Sequence, residues 1–532
     1  MNTFIDQLFA QFPTQNAPGL ALAVIQKGQC VLQQNYGLAN LAENTAISSS
    51  TVFDIGSTAK QFTAACVALL IENGDLNLED NVQTFVSNLP DYDYPLQIKH
   101  LIYHTSGLKD YLELAHLRGM DEHAHYNTAY ALQLLLHQPD LNFVPGDEER
   151  YSNSNYLLLG YIVAQVSGQS LREFAHQHIF EPLGMHNTHF HDYFAEITPH
   201  KAVGYLPDPK GGYQEFTSKI DVVGDGGLYT TIEDLIRWDQ NFYDNQLGEQ
   251  NSDLIKLMTT PGRLNDDTAF EYGFGLILGK HQGKTIQRHG GAFAGYCAEL
   301  LRFPEEKLSV IILANLATLS PWTIAEQVAE VFLGNAPLPP VALTTTHSPA
   351  TPALQLPKEL LTQYTGGYDL GAATPLEVIQ EAGQLLLKYG AEDILQLTPQ
   401  AEGVFTEPEY NIIIEFKQSK GARVPFMVFK TPDQEIIAAK VPISHHVDVE
   451  MLKPYTGSYY CATLKVVYDL FVTEKGLQLS IDFSPPFLLH LTDTDFAEGT
   501  IGSFRFFRNN DHSIREFTLN TGRADYLQFI KL

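Results

Sequence analysis

The spacing of apolar residues divides the first part of the chain into strands and helices. Residues 19–37, GLALAVIQKGQCVLQQNYG, contain apolar runs on both sides of Lys27-Gly28 and predict a hairpin that turns there. Further strands are expected at 276–278, 296–303 and 308–315, and long helices at 155–168 and 323–332. Helices inserted between the strands of one sheet predict an antiparallel sheet covered by helices, an α+β architecture.

One predicted helix has polar residues at its start. In FDIGSTAKQFTAACVALLIENG, residues 53–74, apolar side chains recur at helical spacing until Asn73-Gly74. The expected buried residues of this helix are Ala59, Phe62, Ala65, Cys66, Leu69 and Leu70. This pattern places Ser57 in the first turn, with Lys60 three residues later on the same face.

The chain begins with a short helical pattern made by Ile5, Leu8, Phe9 and Phe12, which predicts a docking helix. The segment has no basic leader and no cleavage site of small residues, so a cytoplasmic protein is expected. No stretch approaches the roughly 18 uninterrupted apolar residues that span a bilayer, so membrane partners are not expected.

The last third of the chain changes in composition and repeats itself. Residues 336–357, APLPPVALTTTHSPATPALQLP, have the composition of a linker. Beyond them LLTQYTGGYDL (360–370) returns as MLKPYTGSYYC (451–461), within short alternating strands. The repeat length suits an eight-stranded antiparallel barrel. We therefore predict a first domain at 1–335, a linker at 336–357 and two small β-barrel domains at 358–447 and 448–532.

Charge and cysteine content exclude several classes of function. The 532 residues include 62 acidic and 33 basic ones, a formal net charge of −29, which would repel nucleic acid and anionic membranes. The four cysteines, Cys30, Cys66, Cys297 and Cys461, are too scattered for a zinc or disulfide framework, and reduced thiols are expected.

Ser57 and Lys60 have two interpretations. The serine could cap the helix and the lysine could lie at the surface. Alternatively, Ser57 could be a nucleophile at the positive end of the helix, with a desolvated Lys60 as its base. The same spacing occurs at Ser106 and Lys109 without an amphipathic run behind it. Spacing alone therefore favours the structural interpretation.

Two further elements follow in order and favour the catalytic interpretation. Tyr151 and Asn153 come after a turn at Pro145-Gly146, where a loop could present a phenol and a carboxamide. Later, His289-Gly290-Gly291 stands on a predicted strand edge. Its glycines would let a substrate backbone lie close and would expose main-chain N–H groups, that of Ala292 best placed.

The order S-x-x-K, Y-x-N and a glycine-ended strand motif resembles the serine β-lactamase and penicillin-binding-protein superfamily, in its class C-like branch. The segments LIYHTSGL, RYSNSNYLLLG, GDGGLYTTIEDLIRW, YGFGL and RHGGAFAGY also look like that family. The resemblance covers residues 1 to 335 and implies a β-lactamase or transpeptidase-like fold. Two C-terminal β domains together with a histidine in the third motif are similar to the layout of the D-aminopeptidase subgroup. This resemblance implies that the two barrels are lipocalin-like.

The resemblance implies a mechanism without metal or organic cofactor. Ser57 would attack a carbonyl, and Lys60 and Tyr151 would move its proton to the leaving group. The Ser57 and Ala292 N–H groups would form the oxyanion hole. Two further residues would assist. Asn153 would bind substrate and fix Lys60, while His289 would orient Tyr151 or the substrate.

The third motif departs from the family pattern in charge. His289 stands where a cation usually binds a substrate carboxylate, and it is largely neutral at pH 7. Arg288 and Lys284 lie an odd number of residues away and would face the other side of the strand. A substrate without a carboxylate beside the scissile bond is therefore expected. It would be a small molecule or short peptide with a free amino end, or an ester.

Asp225, in the segment GDGGLYT, is the candidate receiver of an ammonium group, although an aspartate there could equally form a turn. The sequence thus predicts a D-aminopeptidase-like peptidase or amidase. An esterase, a weak β-lactamase and a binding protein that has kept the fold and uses its barrels to hold a small ligand or partner remain as alternatives. The barrels could also mediate homo-oligomer formation.

Overall fold

A computed structural model describes most of the chain. The described residues are 5, 8–9, 12, 16–120, 124–208, 211–248, 252–334, 356–369, 376–381, 383–389, 393–401, 403–407, 412–417, 426–430, 435–441, 449–474, 476–481, 486–499 and 501–532. They form two compact units. The first runs to residue 343 without 117–119, and the second comprises 117–119 and 344–532. Most of the predicted linker, residues 336–355, lies outside the described residues.

The first unit contains helices between and around short and long strands. Its helices are α1 (Lys60–Glu72), α2 (Ile98–Ile102), α3 (Tyr111–Leu117), α4 (Thr128–Leu136), α5 (Asn153–Ser167), α6 (Leu171–Ala175), α7 (Ile232–Asn241), α8 (Leu254–Met258) and α9 (Pro321–Leu333). Its shorter turns are 3₁₀ at Gly56–Ala59 and Val82–Thr84 and π-helical at His176–Phe180.

The strands of this unit are β1 (Leu20–Gln26), β2 (Gln29–Tyr36), β3 (Leu38–Asn40), β4 (Thr45–Ala46), β5 (Phe53–Asp54), β6 (Tyr126–Asn127), β7 (His189–Phe190), β8 (Tyr205–Pro207), β9 (Tyr213–Glu215), β10 (Ile220–Asp221), β11 (Leu228–Thr230), β12 (Ile277–His281), β13 (Lys284–Phe293), β14 (Tyr296–Phe303) and β15 (Leu308–Ala314).

A six-stranded antiparallel sheet with the order β12-β13-β14-β15-β1-β2 forms the centre of the first unit. Strand β1, near the N-terminus, pairs with β15, near residue 310, so strands from the start and the end of this unit are neighbours in one sheet. The predicted hairpin, strands and closing helix are confirmed. Strands β14 and β15 are buried at every position, because helices cover both faces of the sheet.

The predicted N-terminal contacts are also confirmed. Ile5, Leu8, Phe9 and Phe12 are buried in one apolar cluster with residues of the central sheet and of α9. Phe9 stacks on Tyr36 of β2 at 4.5 Å between ring centroids. These four side chains therefore cover part of the sheet, as their helical spacing predicted.

A small second sheet leads to the start of α1. It has three strands in the order β5-β11-β7. Strand β5 ends at Asp54, three residues before Ser57, and β11 follows the glycine-rich segment around Asp225. The sheet therefore holds two candidate site segments side by side.

The second unit contains two closed eight-stranded barrels. The first follows helix α10 (Lys358–Tyr364) and comprises β16 (Gly366–Asp369), β17 (Leu376–Glu381), β18 (Gln384–Tyr389), β19 (Asp393–Ala401), β20 (Val404–Glu407), β21 (Ile412–Lys417), β22 (Phe426–Lys430) and β23 (Glu435–Val441). The second follows α11 (Val449–Leu452) and a 3₁₀ turn (Lys453–Tyr455). It comprises β24 (Gly457–Cys461), β25 (Val466–Thr473), β26 (Gly476–Ile481), β27 (Phe487–Asp493), β28 (Phe496–Gly499), β29 (Gly502–Arg508), β30 (Ile514–Asn520) and β31 (Leu527–Lys531).

The two barrels repeat one another in detail. Tyr368 donates a hydrogen bond to the carbonyl of Tyr364 at 2.8 Å, and Tyr459 donates one to Tyr455 at 2.8 Å. The glycines that open β16 and β24 have φ values of 144° and 141°. The predicted α+β fold with two barrels is confirmed, and the sequence repeat corresponds to a structural one.

The interior of the second barrel is filled with aromatic side chains. Phe517 stacks on Phe529 with 4.7 Å between centroids, and Tyr468 lies 4.4 Å from Phe529. A small barrel packed in this way is a core rather than a ligand cavity. This packing weighs against the alternative in which that barrel encloses a small ligand.

Two further expectations concern helices and thiols. Within the described residues, none of the helices combines the length and the apolar character needed to cross a lipid bilayer. None of the four cysteines forms a disulfide; Cys30 is exposed and the other three are buried.

Candidate active site

Ser57 lies in the 3₁₀ turn Gly56–Ala59, immediately before α1. The N-caps of this turn and of α1 are Ile55 and Ala59, and neither has a side-chain capping bond. The turn is held from β5, because the Asp54 carboxylate accepts the Gly56 N–H at 2.9 Å. Gly56 has φ of 49°, a left-handed conformation that favours glycine. Ser57 is therefore presented by a tight turn and does not cap the helix.

Strand β13 passes directly against this turn. A Cβ atom on Gly291 would lie 1.9 Å from the carbonyl oxygen of Ile55 and 2.9 Å from the Ser57 nitrogen. A Cβ atom on Gly56 would lie 2.9 Å from the Ala292 nitrogen. Thr58 also donates a hydrogen bond to the carbonyl of His289 at 3.2 Å. The strand and the turn can approach this closely only because both positions are glycine.

Lys60 is buried and contacts three oxygen atoms. Its Nζ lies 3.0 Å from Ser57 Oγ, 2.9 Å from Asn153 Oδ1 and 2.6 Å from the carbonyl oxygen of Asp225. The alternative interpretation of Lys60 as a surface lysine is excluded, because Lys60 has no exposed area. The structure thus brings together the first motif, the second motif and the glycine-rich segment.

The three contacts determine toward which atom the lone pair of a neutral Lys60 would point. An amide oxygen and a backbone carbonyl can only accept, so two N–H bonds of the amine are directed at Asn153 and Asp225. The remaining position of Nζ faces the Ser57 hydroxyl. In the neutral amine that position is a lone pair, which can accept the serine proton.

Asn153, the first residue of α5, is held by Asp110. One carboxylate oxygen, Asp110 Oδ2, accepts from the Asn153 backbone N–H at 2.7 Å and from its side-chain Nδ2 at 2.9 Å. Because Nδ2 is bound to an acceptor, the orientation of the amide is fixed by chemistry. Asn153 must therefore present its oxygen to Lys60.

Tyr151 lies two residues before α5, on the loop where the sequence placed it. Lys60 Nζ is 4.8 Å from the centre of its ring, and the ring of His104 is 4.4 Å away on a tilted plane. The Tyr151 ring is half-buried, 6.4 Å from that of His289. Tyr151 thus lies between the lysine and the third motif.

His289 belongs to a directional chain of hydrogen bonds with His104 and Tyr272. His104 Nδ1 lies 3.2 Å from the Ser152 N–H and 2.9 Å from Asn155 Nδ2, so Nδ1 accepts and Nε2 carries the proton. His104 Nε2 and His289 Nε2 are each 3.2 Å from the hydroxyl of Tyr272.

The other ring nitrogen of His289 determines its tautomer. Nδ1 lies 2.6 Å from the carbonyl of Gly290, to which it must donate. Burial, with a contribution from the Lys60 charge, lowers the pKa of His289 to about 3, so the ring is neutral. Nε2 then accepts from Tyr272, whose own pKa burial raises well above its usual value. His289 therefore carries no positive charge toward the site.

Asp225 is buried beside Lys60. Its Oδ2 accepts a hydrogen bond from the Tyr111 hydroxyl at 2.9 Å, and its Oδ1 has no hydrogen-bond partner among the described residues. Burial raises the pKa of Asp225 to about 6, although the Lys60 charge opposes this shift. The carboxylate is thus an incompletely satisfied anionic group next to the lysine.

The neighbouring basic residues point elsewhere, as predicted. Arg288 donates to Glu299 at 2.9 Å and to Glu326 at 2.6 Å, and Lys284 donates to Glu306 at 2.6 Å. These pairs occupy the opposite side of β13. None of these contacts brings a cation to His289.

The second S-x-x-K sequence has a different role. Ser106 donates to Asn155 at 2.5 Å, and Lys109 pairs with Asp140 at 3.1 Å. The serine and the lysine therefore have separate partners. This chain offers a matched control for the motif at Ser57.

Sequence reasoning missed four residues that organise the site: Asp110, Tyr111, His104 and Tyr272. Asp110 and Tyr111 directly follow the second S-x-x-K sequence, and Tyr272 opens the quoted segment YGFGL. None of them has a spacing that predicts its contact. Their contacts with other site residues span from 17 to 168 positions along the chain.

Comparisons with known proteins give the family and the fold of the chain. A comparison with protein-family models matches residues 5–329 to the family described as Beta-lactamase. Penicillin-binding protein 4* of Bacillus subtilis (strain 168) is 28% identical over 439 residues, 78% of this chain and 94% of that protein. The D-aminopeptidase of Brucella anthropi is 30% identical over 316 residues, 58% of this chain and 58% of that protein. The match thus spans just over half of the D-aminopeptidase.

Among solved structures, the octameric penicillin-binding protein homologue from Pyrococcus abyssi has a TM-score of 0.58 with 23% sequence identity. The alignment covers 82% of this chain and 98% of that one. At this identity the similarity shows the fold alone.

Proposed function

The chain belongs to the beta-lactamase family, and from that premise we propose that it is a serine hydrolase which forms an acyl-enzyme on Ser57. The observation that carries the proposal is the position of Lys60 Nζ, 3.0 Å from Ser57 Oγ with its two other partners restricted to accepting. A buried amine held in this way is suited to act as a base toward the serine.

The proposed acylation proceeds by addition and elimination. Lys60 takes the Ser57 proton as Oγ bonds to the substrate carbonyl carbon, and the backbone N–H groups of Ser57 and Ala292 stabilise the oxyanion. The bond to the leaving group then breaks, and Lys60 and Tyr151 pass the proton to it. Water attacks the acyl-enzyme next, releasing the acid and returning the proton to Ser57.

We further propose that the substrate is an amide or short peptide with a free amino end. The third motif supplies no cation for a carboxylate, because His289 is neutral and Arg288 is paired with two glutamates. The acidic groups near Lys60, Asp225 and Asp110, favour an ammonium instead. A D-aminopeptidase among the relatives supports this substrate class. Asp225, with its unpartnered Oδ1, is the proposed receiver of the ammonium.

The proposed domain arrangement is a catalytic domain at 1–335 followed by barrel domains at 358–447 and 448–532. Each of the latter segments contains one of the eight-stranded barrels. This division supports a hydrolase in which the described site lies in the first domain.

The test combines a covalent probe with a substrate panel. A fluorophosphonate should add once to the unmodified protein, as measured by intact mass, and not to Ser57→Ala. The panel comprises D- and L-alanine p-nitroanilides, their N-acetyl forms, p-nitrophenyl esters and a chromogenic cephalosporin. The D-alanine p-nitroanilide with a free amine should be preferred, whereas preference for an ester would assign the esterase alternative.

Ser106→Ala is the matched control, because it removes the serine of the other S-x-x-K sequence. It should still be labelled, since Ser106 and Lys109 have separate structural partners. Absence of both labelling and turnover in the unmodified protein would contradict the serine hydrolase.

A further inference from the structure

Two histidines and a glutamate converge on the small sheet beside the candidate active site. His189 Nε2 lies 3.3 Å from His191 Nδ1. One ligand atom from each of these residues and one carboxylate oxygen of Glu196 all lie within 4.8 Å of one another. His191 is buried, and the other two are partly exposed, so the cluster can be reached from solvent.

The distance between the two nitrogens suits a shared metal ion. Zinc binds histidine nitrogen at about 2.0–2.1 Å, and two ligands of a tetrahedral site are then about 3.3 Å apart. The rings are held in position by their surroundings. His191 stacks on Tyr229 with 4.2 Å between centroids and 10° between planes, and its backbone N–H donates to the Gly227 carbonyl at 2.7 Å.

The carboxylates around the cluster keep acceptor sites for a cation. Glu196 and Asp192 contribute two negative charges, which are balanced by Arg172 and by Lys201, whose Nζ donates to the Tyr229 hydroxyl at 2.8 Å. Arg172 donates to Glu196 at 2.6 and 2.8 Å and to Asp192 at 3.0 Å. Each carboxylate oxygen keeps a second lone pair. The arginine therefore orients Glu196 without using all of its acceptor sites.

We propose that His189, His191 and Glu196 form a binding site for a divalent transition-metal ion of the zinc class. Two imidazoles and one carboxylate are a ligand set that such ions take, with water completing the coordination. This set excludes magnesium and calcium as preferred occupants, because those ions select oxygen ligands. The site is separate from the proposed chemistry at Ser57, which uses no metal.

The sheet connects the metal site to the candidate active site. His189 pairs with Tyr229 of β11, and Tyr229 pairs with Asp54 of β5, so the three residues form one row across the sheet. Two strand spacings separate His189 from Asp54, about 10 Å. Asp54 holds the turn that presents Ser57, and His191 binds the segment that places the Asp225 carbonyl on Lys60. Metal binding would therefore stiffen both supports of the site.

Cobalt(II) added to the metal-free full chain provides the direct test. One equivalent should bind and give the intense visible d–d absorption of a four-coordinate ion, which zinc should abolish by displacement. His189→Gln should lose about 100-fold or more in cobalt affinity. Glu196→Gln provides a second variant at a partly exposed position, and circular dichroism shows whether each variant is folded.

The matched control is His186→Gln, which removes an exposed histidine three residues before the cluster. This variant should bind one equivalent with unchanged affinity and spectrum. The proposal is overturned if the unmodified protein binds no cobalt or zinc at one equivalent. It is equally overturned if folded His189→Gln and Glu196→Gln both bind as tightly as the unmodified protein.

Discussion

Asp110 binds Asn153 twice through a single carboxylate oxygen, once at the backbone N–H and once at the side-chain amide. The other oxygen of Asp110 accepts the N–H groups of Leu112 and Glu113 at 2.9 and 3.3 Å, at the start of α3. The carboxylate thus joins two helices and fixes the amide that orients Lys60. It acts on the site through another residue and is a positioning residue.

Asp110→Asn should slow chemistry at Ser57. Asparagine has one acceptor oxygen where the carboxylate has two, so it cannot serve both the Asn153 donors and the N–H groups of Leu112 and Glu113. The NH2 group would face one pair of donors, and the Asn153 amide would lose its fixed orientation toward Lys60. We expect the second-order rate of fluorophosphonate labelling to fall about 100-fold, as for a misplaced catalytic group. Urea unfolding should show a loss of about 1–3 kcal/mol in the free energy of unfolding.

Asp140→Asn is the control for this prediction. Asp140 accepts from the buried Lys109 at 3.1 Å, and an asparagine in its place keeps a side-chain oxygen that can accept the same bond. Labelling should proceed at the unmodified rate. A labelling rate in Asp110→Asn equal to that of the control would refute the positioning role.

Gly291→Ala should disrupt the junction of β13 with the Ser57 turn. The added methyl group would lie 1.9 Å from the Ile55 carbonyl, and both partners are backbone, which cannot rotate away. We expect a loss of stability at or above the usual 1–3 kcal/mol for overpacking, about 3 kcal/mol. Thermal unfolding and probe labelling should both report the change.

The neighbouring Gly290→Ala variant tests whether β13 tolerates an alanine where the added methyl group meets a side chain. Its methyl group would meet the Glu299 side chain at 2.8 Å, and a side chain can move. We therefore expect Gly290→Ala to keep most of its labelling. Equal loss in both variants would contradict the argument from close backbone approach.

The effect of Asp225→Asn on kcat/KM should depend on whether the substrate has a free amino group. If the carboxylate receives an ammonium, kcat/KM for D-alanine p-nitroanilide should fall about 10–100-fold, the range for a charged hydrogen bond. The value for the N-acetylated substrate should change little. Equal losses for both substrates would instead assign Asp225 a structural role beside Lys60.

The stability of the chain should depend on the protonation of His289. Its pKa is lowered to about 3 in the folded protein, against about 6.5 in an unfolded chain. Between these values the unfolded state binds a proton that the folded state does not. The contribution of His289 is therefore fully present above pH 6.5 and is lost as the pH falls toward 3.

Urea unfolding of the unmodified protein and His289→Gln at pH 7, 6 and 5 measures this contribution. Below pH 6.5 the unmodified protein should lose stability faster than the variant, by at most about 1.4 kcal/mol per pH unit. Asp54 and Asp225, whose pKa values burial raises to about 6, act in the opposite direction but are common to both proteins. Parallel pH profiles would show that His289 titrates normally in the folded state.

Local patterns were sufficient to predict the elements of the fold. The hairpin at 19–37, the strand at 296–303 and the closing helix are each specified by periodicities within a few residues. The repeat at 360–370 and 451–461 predicted two equivalent barrels, because similar segments fold alike. The glycines after His289 predicted close approach of a substrate backbone, whereas the backbone that lies against Gly291 is that of the Ser57 turn.

Local sequence patterns did not predict the partners of the buried polar groups. Ser57-x-x-Lys60 and Ser106-x-x-Lys109 have the same spacing, yet Lys60 Nζ contacts the Ser57 hydroxyl whereas Lys109 pairs with Asp140. The difference arises from Asn153 and Asp225, which reach Lys60 from 93 and 165 residues away. Spacing within a helix carries no information about such distant acceptors.

Because periodicity and turn chemistry act locally, they were sufficient to predict the fold class, the repeated barrels and the order of the candidate motifs. Three contacts are seen only in the folded chain. Asp110 orients Asn153, His289 accepts a hydrogen bond from Tyr272, and two histidines lie close to a glutamate beside Tyr229. Each of these contacts depends on which buried donors and acceptors the fold brings within hydrogen-bond reach. That pairing is a property of packing, since every buried polar group must find its partner in three dimensions.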